Sequence, residues 1–302
     1  MPNAPKPDVV KLGLVQMRMS ADPDANVAAA TAAIRDLAAR GARIVCLPEL
    51  FRSPYFCQTH DLAMFDLAEP LDGPTTRAFA ALAKELGVVI VNSIFEKRLP
   101  GLYHNTAVVL DADGTNLGFY RKSHIPDDPR YHEKYYFAPG DTGVKVFDTR
   151  YARLGVVICW DQWYPESGRL AALQGAQILV IPTAIGWLPE DKPEWEHKHV
   201  NAWHTVQAAH AVANGMFVGV VNRVGHEPTP GPGQGIEFWG NSFVADPSGW
   251  DLVRGGTGPE NLLAECDLAK QAQTRQNWPF LRDRRIDLYG GLLQRAMDRG
   301  QP

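Results

Sequence analysis

Short, nearly continuous apolar runs punctuate the chain at Leu12–Met17, Ile44–Leu47, Val88–Val91, Val108–Leu110, Leu154–Cys159, Ile178–Ile181 and Phe217–Val221. Runs this short, rich in Val and Ile and without polar alternation, read as strands covered on both faces. Segments of 3.6-residue period lie between them. One places Val27, Ala30, Ile34, Leu37 and Ala38 on a single face, with Asn26 as its expected N-cap and Gly41 closing it. A second carries Phe79, Leu82, Ala83 and Leu86 and closes at Gly87. Strand and helix alternate, which is the signature of an α/β fold.

The pattern also repeats. Leu12-Gly13 opens a strand as Leu154-Gly155 does, and Gly41-Ala42 precedes IVCLPE as Gly175-Ala176 precedes ILVIPT. Val91-Asn92 answers to Val221-Asn222, and the hairpin signal Asp111–Gly114 answers to Asp246–Gly249. Near-uniform offsets of 130 to 142 residues predict two copies of one strand-and-helix unit. Each copy would bear helices on one face of its sheet, and packing the bare faces together gives a four-layer α-β-β-α sandwich. No linker or charge block separates the halves, so residues 1–302 are expected to form one domain. Its core is expected over about residues 10–275, with 276–302 as a C-terminal extension. The stretch from Gly225 to Gly235 reads as a surface loop.

Composition narrows the partners. Thirty Lys plus Arg against 34 Asp plus Glu give a net charge of -4, which argues against nucleic acid or an anionic membrane as the main partner. No apolar run approaches the roughly 18 residues a membrane helix needs, and Met1–Asp8 has no apolar core of a signal peptide, so a cytosolic protein is expected. Cys46, Cys57, Cys159 and Cys266 lie far apart and predict no disulfide framework. His197, His199, His204 and His210 fall on different faces of a helix, which speaks against a metal site. Gly231, Gly233 and Gly235 lack a preceding strand, so no nucleotide loop and no cofactor is expected.

Four residues are candidates for chemistry. Cys159 closes the run LGVVIC at the tip of an expected buried strand, just before a helical stretch, where α/β proteins place reactive groups. A thiol of ordinary pKa about 8.5 needs a cation, a helix N-terminus or a base to react, and a lone strand Cys is more often structural. Glu49 ends IVCLPE beside a proline that stops the ladder, and by itself it reads equally as a cap or an ion-pair partner. Alone, Lys122 in GFYRKSHIP reads as a solvated surface residue and Glu133 in YHEKYYFAPGD as a loop carboxylate.

Taken together, in the order Glu49, Lys122, Glu133, Cys159, these residues resemble the nitrilase (carbon-nitrogen hydrolase) superfamily. The surrounding words CLPE, YRKSHIP, HEKYYFAPGDTG and GVVICWDQWYPE match, as do HNTAVVLDADG, IPTAIG and FWGNSFVADPSG, from Val10 to Tyr289. RKSHIPD and CWDQWYPE are most similar to the N-carbamoylputrescine amidohydrolase branch. The resemblance implies a cofactor-free cysteine hydrolase of N-carbamoyl amines, with Cys159 as nucleophile and Glu49 as general base. It further implies that Lys122 and the Trp160 backbone N–H hold the oxyanion, and that Glu133 fixes Lys122. Tyr55, Trp160, Trp163, Glu190 and Asp191 would shape the substrate pocket, an acidic side chain meeting a distal ammonium. Trp187 departs from the small polar residue common in that branch, which bears on substrate length. The alternative is an N-carbamoyl amino acid, such as N-carbamoyl-β-alanine or an N-carbamoyl-D-amino acid, whose carboxylate would call on Arg130 or Arg169; another aliphatic amide is a further variant. A catalytically silent subunit and a metal amidohydrolase are the remaining classes. The resemblance also implies self-association, with Trp278–Arg299 reaching a neighbour as a homo-oligomer contact.

Overall fold

The computed structural model describes residues 6–229 and 235–297. Along the first half run β1 (Val9–Gln16), β2 (Ile44–Cys46), β3 (Val89–Leu99), β4 (Leu102–Leu110), β5 (Asn116–Arg121) and β6 (Lys145–Asp148). The second half contributes β7 (Arg153–Val156), β8 (Ile178–Pro182), β9 (Gly186–Trp187), β10 (Phe217–Val221) and β11 (Val224–Pro228). It continues with β12 (Gly235–Trp239), β13 (Phe243–Ala245), β14 (Asp251–Arg254) and β15 (Glu260–Asp267). The helices are α1 (Pro23–Ala39), α2 (Pro74–Leu86), α3 (Glu133–Tyr136), α4 (Pro165–Leu173), α5 (Lys192–Asn214) and α6 (Leu268–Asn277).

Two mixed six-strand sheets share one plan. The first has the order β15-β1-β2-β3-β4-β5 and the second β14-β13-β10-β8-β7-β6. In each, three parallel strands are followed by two antiparallel ones, and an antiparallel strand pairs on the outer side of the first parallel strand. That outer strand is exchanged: β6 ends the first half yet joins the second sheet, and β15 ends the second half yet joins the first. The halves are therefore interlocked by main-chain hydrogen bonds as well as by side-chain packing.

Between the sheets lie Leu12, Leu14, Val89 and Val91 from one side and Leu154, Val156, Ile178 and Val180 from the other, all fully buried. Each such side chain contributes roughly 1.5–3 kcal/mol relative to exposure. A Cβ on Gly219 would stand 2.7 Å from Leu12, so the sheets approach closely there. On the outer faces the repeat extends to single residues. Gly13 lets Leu37 of α1 lie on the first sheet, and its counterpart Gly155 lets Ala171 of α4 lie on the second. Ile34, Leu37 and Phe79 close the α1/α2 layer over Val45, Val88 and Ile90. Helix α5 packs on β10 and β13.

Three expectations change. Asn26 does not cap α1: Asp22 does, accepting from the N–H groups of Asp24 and Ala25 ahead of Pro23, which is pre-set for a first helical position. Asn26 is buried in the first turn, where its amide joins Ser20 to the carbonyl of Arg52. The stretch read as a surface loop contains most of β11, which pairs antiparallel with β12 and packs Val224, Ile236 and Phe238 inward. Gly235 is thus preceded by a strand after all, but in a hairpin and not before a helix; Gly231 and Gly233 lie outside the described residues. Strand pairing of LGVVIC stops at Val156, so Cys159 sits beyond the ladder on a short 3-10 turn.

After α6 the chain runs along the surface. Trp278, Ile286, Leu288, Leu292 and Leu293 are exposed there, Leu293 at 94%. No helix among the described residues is long and apolar enough to cross a membrane.

Candidate active site

The four candidate residues are held by four different segments. Leu47 continues the ladder to the Val91 carbonyl, and two residues later Glu49 leaves the end of β2. Lys122 follows β5 directly, its N–H still bonded to the Asn105 carbonyl of β4. Glu133 opens the single turn α3, and Cys159 follows β7. Burial of Glu49, Lys122 and Glu133 is essentially complete, against the solvated reading that Lys122 invites alone.

Lys122 Nζ donates to Glu49 Oε1 at 2.8 Å and to Glu133 Oε2 at 2.6 Å. Asn105 Nδ2 donates to Glu49 Oε1 at 2.6 Å, and Tyr55 Oη donates to Glu133 Oε1 at 2.6 Å. Three buried charges of net -1 survive only because each is paired and hydrogen bonded; removing one partner of such a pair costs about 3–5 kcal/mol. Burial works against the Lys122 ammonium, but Glu133 and Glu49 outweigh it and hold its pKa well above the ordinary range. Burial pushes the Glu133 carboxyl up to about 7, with Lys122 opposing and Glu49 adding to the rise. Among the described residues Glu49 Oε2 has no hydrogen-bond partner although it is buried, which leaves one oxygen of this carboxylate free to take a proton.

Cys159 adopts φ +44°, a left-handed conformation that L residues rarely adopt outside functional sites. Its Sγ lies 3.8 Å from the Ala184 carbonyl oxygen. Burial raises the thiol pKa well above its ordinary value; Glu49 and Glu133 raise it further and Lys122 lowers it. The resting sulfur is thus a thiol, and a base must accept its proton before it can attack. The turn is anchored by Asp161, fully buried, which accepts from Ile158 N, Tyr120 Oη and His124 N. One aspartate so ties the cysteine turn to the segment following Lys122.

A cavity of about 440 Å³ opens on Cys159 and Glu133. Trp160, Trp163, Leu188, Ala202 and Trp239 form apolar walls, and Asp128, Tyr131, Asp191 and His199 supply the remaining ionisable groups. Of the residues expected to shape substrate binding, Trp160, Trp163 and Asp191 line this cavity. Tyr55 does not: it is buried behind Glu133 and bonded to it. Glu190 does not either; it is half exposed and paired with Arg130 at 2.9 Å. That pairing also occupies Arg130, which donates besides to the Gly235 carbonyl, and Arg169 lies on α4 away from the cavity lining. Trp187 is buried against Trp239 with ring centroids 5.2 Å apart, so it backs the pocket wall. The histidines of α5 separate as their spacing implies: His204 pairs with Asp251, His210 with the Gln162 carbonyl, and His199 faces the cavity.

Asn105, Asp128, Tyr131, Asp161 and Trp239 were not singled out from the sequence. Asn105 and Asp161 sit inside the matched words HNTAVVL and CWDQWYPE, which was a usable signal; a polar residue in an otherwise apolar strand asks for a partner. Trp239 likewise sits inside a matched word, FWGNSFVADPSG, whereas Asp128 and Tyr131 lie outside the matched words, because pocket lining is a property of distant segments.

Residues 11–276 match the carbon-nitrogen hydrolase family. The chain belongs to that family. It is 46% identical to the N-carbamoylputrescine amidase of Solanum lycopersicum, over 96% of this chain and 97% of that protein. It is 38% identical to a citrullinase of Francisella tularensis, over 95% and 99%. Among solved structures, a carbon-nitrogen hydrolase from Helicobacter pylori superposes with a TM-score of 0.92 at 43% identity, covering 96% of this chain and 100% of that one. A mutant amidase from Nesterenkonia, with a TM-score of 0.71 at 25% identity over 93% and 95%, shows covalent addition of an acetamide moiety at its active site cysteine. For the family member described here, an amide hydrolysis with an active-site cysteine follows; its substrate is a separate question.

Proposed function

We propose that this carbon-nitrogen hydrolase converts N-carbamoylputrescine and water to putrescine, carbon dioxide and ammonia. The observation that carries the choice is the charge of the cavity. Its ionisable groups besides Glu133 and Cys159 are Asp128, Asp191, His199 and Tyr131, with no Arg or Lys among the lining residues. Apolar walls suit a polymethylene chain, and carboxylates suit an ammonium at its end. Identity of 46% to an N-carbamoylputrescine amidase supports the same reading.

Glu49 takes the thiol proton of Cys159 on its unpaired Oε2, and the thiolate attacks the carbamoyl carbon. Lys122 and the Trp160 N–H stabilise the oxyanion. Collapse breaks the bond to the terminal nitrogen, which leaves as ammonia with the proton from Glu49. A water deprotonated by Glu49 then cleaves the carbamoyl thioester and frees the thiol, and the carbamate released loses carbon dioxide. Glu133 keeps the Lys122 ammonium in place throughout.

A second reading, hydrolysis of an N-carbamoyl amino acid, is favoured by the 38% identity to a citrullinase. Ammonia release measured side by side from N-carbamoylputrescine, N-carbamoyl-β-alanine and citrulline separates the two. The diamine derivative is expected to have the highest kcat/KM, and preference for either carboxylate-bearing compound would overturn the assignment. Self-association through the exposed apolar residues after Trp278 is also proposed, with light scattering after size exclusion as its test.

A further inference from the structure

Beneath the candidate site lies an ion pair that the chemistry above does not use. Arg223, fully buried just after β10, donates through Nη1 to Glu227 Oε1 and Oε2 at 2.9 and 3.2 Å. Through Nη2 it donates to the backbone carbonyls of Glu49 at 2.7 Å and Leu50 at 3.0 Å. A further bond from Nη1 reaches the Ser53 carbonyl at 3.3 Å. These carbonyls belong to the turn on which Glu49 leaves its strand, and Leu50 there has φ +49°. The other end of the pair reaches the second carboxylate. Glu227 Oε2 accepts from the Tyr55 N–H, and the Tyr55 hydroxyl donates to Glu133 Oε1. Arg223 also lies over the Phe238 ring at 5.2 Å.

A buried ion pair adds little net stability, because desolvating both charges cancels most of their attraction; its use is in fixing geometry. We propose that Arg223 and Glu227 are positioning residues. From the hairpin of the second half they set where Glu49 and Glu133, both from the first half, flank Lys122. The guanidinium fork is what permits this, since only a planar group with several N–H donors can span Glu227 and consecutive carbonyls. The inference rests on Glu49 acting as the base for Cys159, as proposed above, but not on which amide is hydrolysed.

The test uses the full-length protein carrying Arg223→Lys, Glu227→Gln or Tyr55→Phe, the last removing only the hydroxyl that meets Glu133. Two readouts are taken: ammonia release, and the pH profile of Cys159 alkylation by iodoacetamide, which needs no substrate assignment. A buried substitution far from the site, Ile34→Val in α1, serves as the reference for a purely structural loss of stability. Expected for R223K and E227Q are a kcat lower by roughly tenfold to a hundredfold with KM within about twofold, the range a small misplacement of catalytic groups produces. Alkylation at neutral pH should slow in step, and Y55F should show a smaller loss of the same kind. Folded variants with unchanged kcat and alkylation would overturn the proposal. So would losses no larger than those of I34V at an equal drop in melting temperature. If R223K and E227Q fail to fold, Y55F decides by the same criteria. Should no carbamoyl compound be hydrolysed by the unaltered protein, the alkylation profiles still decide the positioning question separately.

Discussion

The two halves share a sheet order and a glycine under each first helix, yet they are used unequally. Strand β2 runs on to Pro48-Glu49 and its counterpart β8 to Pro182-Thr183; β7 leads to Cys159 and its counterpart β1 to Met17; β3 carries Asn92-Ser93 within it where β10 leads to Asn222-Arg223. The repeat offers two sets of strand ends, and the candidate catalytic side chains are distributed across them once. Both carboxylates and the lysine come from the first half, while the thiol and the buried arginine come from the second. The difference teaches that a duplicated scaffold determines where strands end, and that the site depends on which side chains those ends carry and whether the fold seals them from water.

That inequality can be broken by substitution. Cys159→Ala removes the group placed as nucleophile and is expected to lower ammonia release at least about a thousandfold, with an unchanged near-ultraviolet spectrum showing an intact fold. Full activity in C159A would sink the mechanism. Glu49→Gln keeps the shape and bonds of the side chain but cannot accept the thiol proton, so kcat should fall by roughly a hundredfold to ten-thousandfold. Asp191→Asn should raise KM for N-carbamoylputrescine roughly tenfold while leaving kcat within about threefold, as loss of a contact to a remote ammonium does. An unchanged KM would move that contact to Asp128.

A pH series sharpens the electrostatic side of the comparison. With burial holding the Glu133 carboxyl near 7, acidification through that value protonates it and weakens its hold on Lys122, so kcat should show an acid limb there. Stability runs the other way. Between an ordinary value of 4.5 and about 7 the folded protein keeps a proton that the unfolded chain has released, so this group's contribution to stability is lost as pH rises across the window. Melting temperatures of the unaltered protein and Glu133→Gln from pH 4 to 8 would reveal it as a slope present in the first and absent in the second. The smallest effect is expected at the empty counterpart. Met17→Leu conserves volume at the position equivalent to Cys159, and should leave kcat unchanged and cost less than about 1.5 kcal/mol in a denaturant melt.

Most of the architecture was legible because it is written in local periodicity. Apolar runs gave seven core strands, helical stripes gave α1 and α2, and the repeat implied two equivalent sheets. What escaped was long-range or short-range in a way that periodicity misses. The exchange of β6 and β15 depends on pairing across the halves. The cap at Asp22 was hidden because Asn26 is an equally good capping type, and only the proline at position 23 favours the earlier start. The hairpin holding Glu227 was masked by its prolines and glycines, which suggest a loop whether or not strands flank them.

In the candidate site the same division holds. Residue types and the order Glu49, Lys122, Glu133, Cys159 by themselves determined the family and the class of reaction. Only the tertiary structure decided that Glu190 is spent on Arg130, that Tyr55 backs Glu133 and does not face the cavity, and that Arg223 and Glu227 lie under both carboxylates. Folding also brought Asp128 and Asp191 to one cavity. The physical reason is that a residue's chemistry travels with its type, while its charge state, partners and access to substrate are set by burial and by neighbours up to 174 positions away.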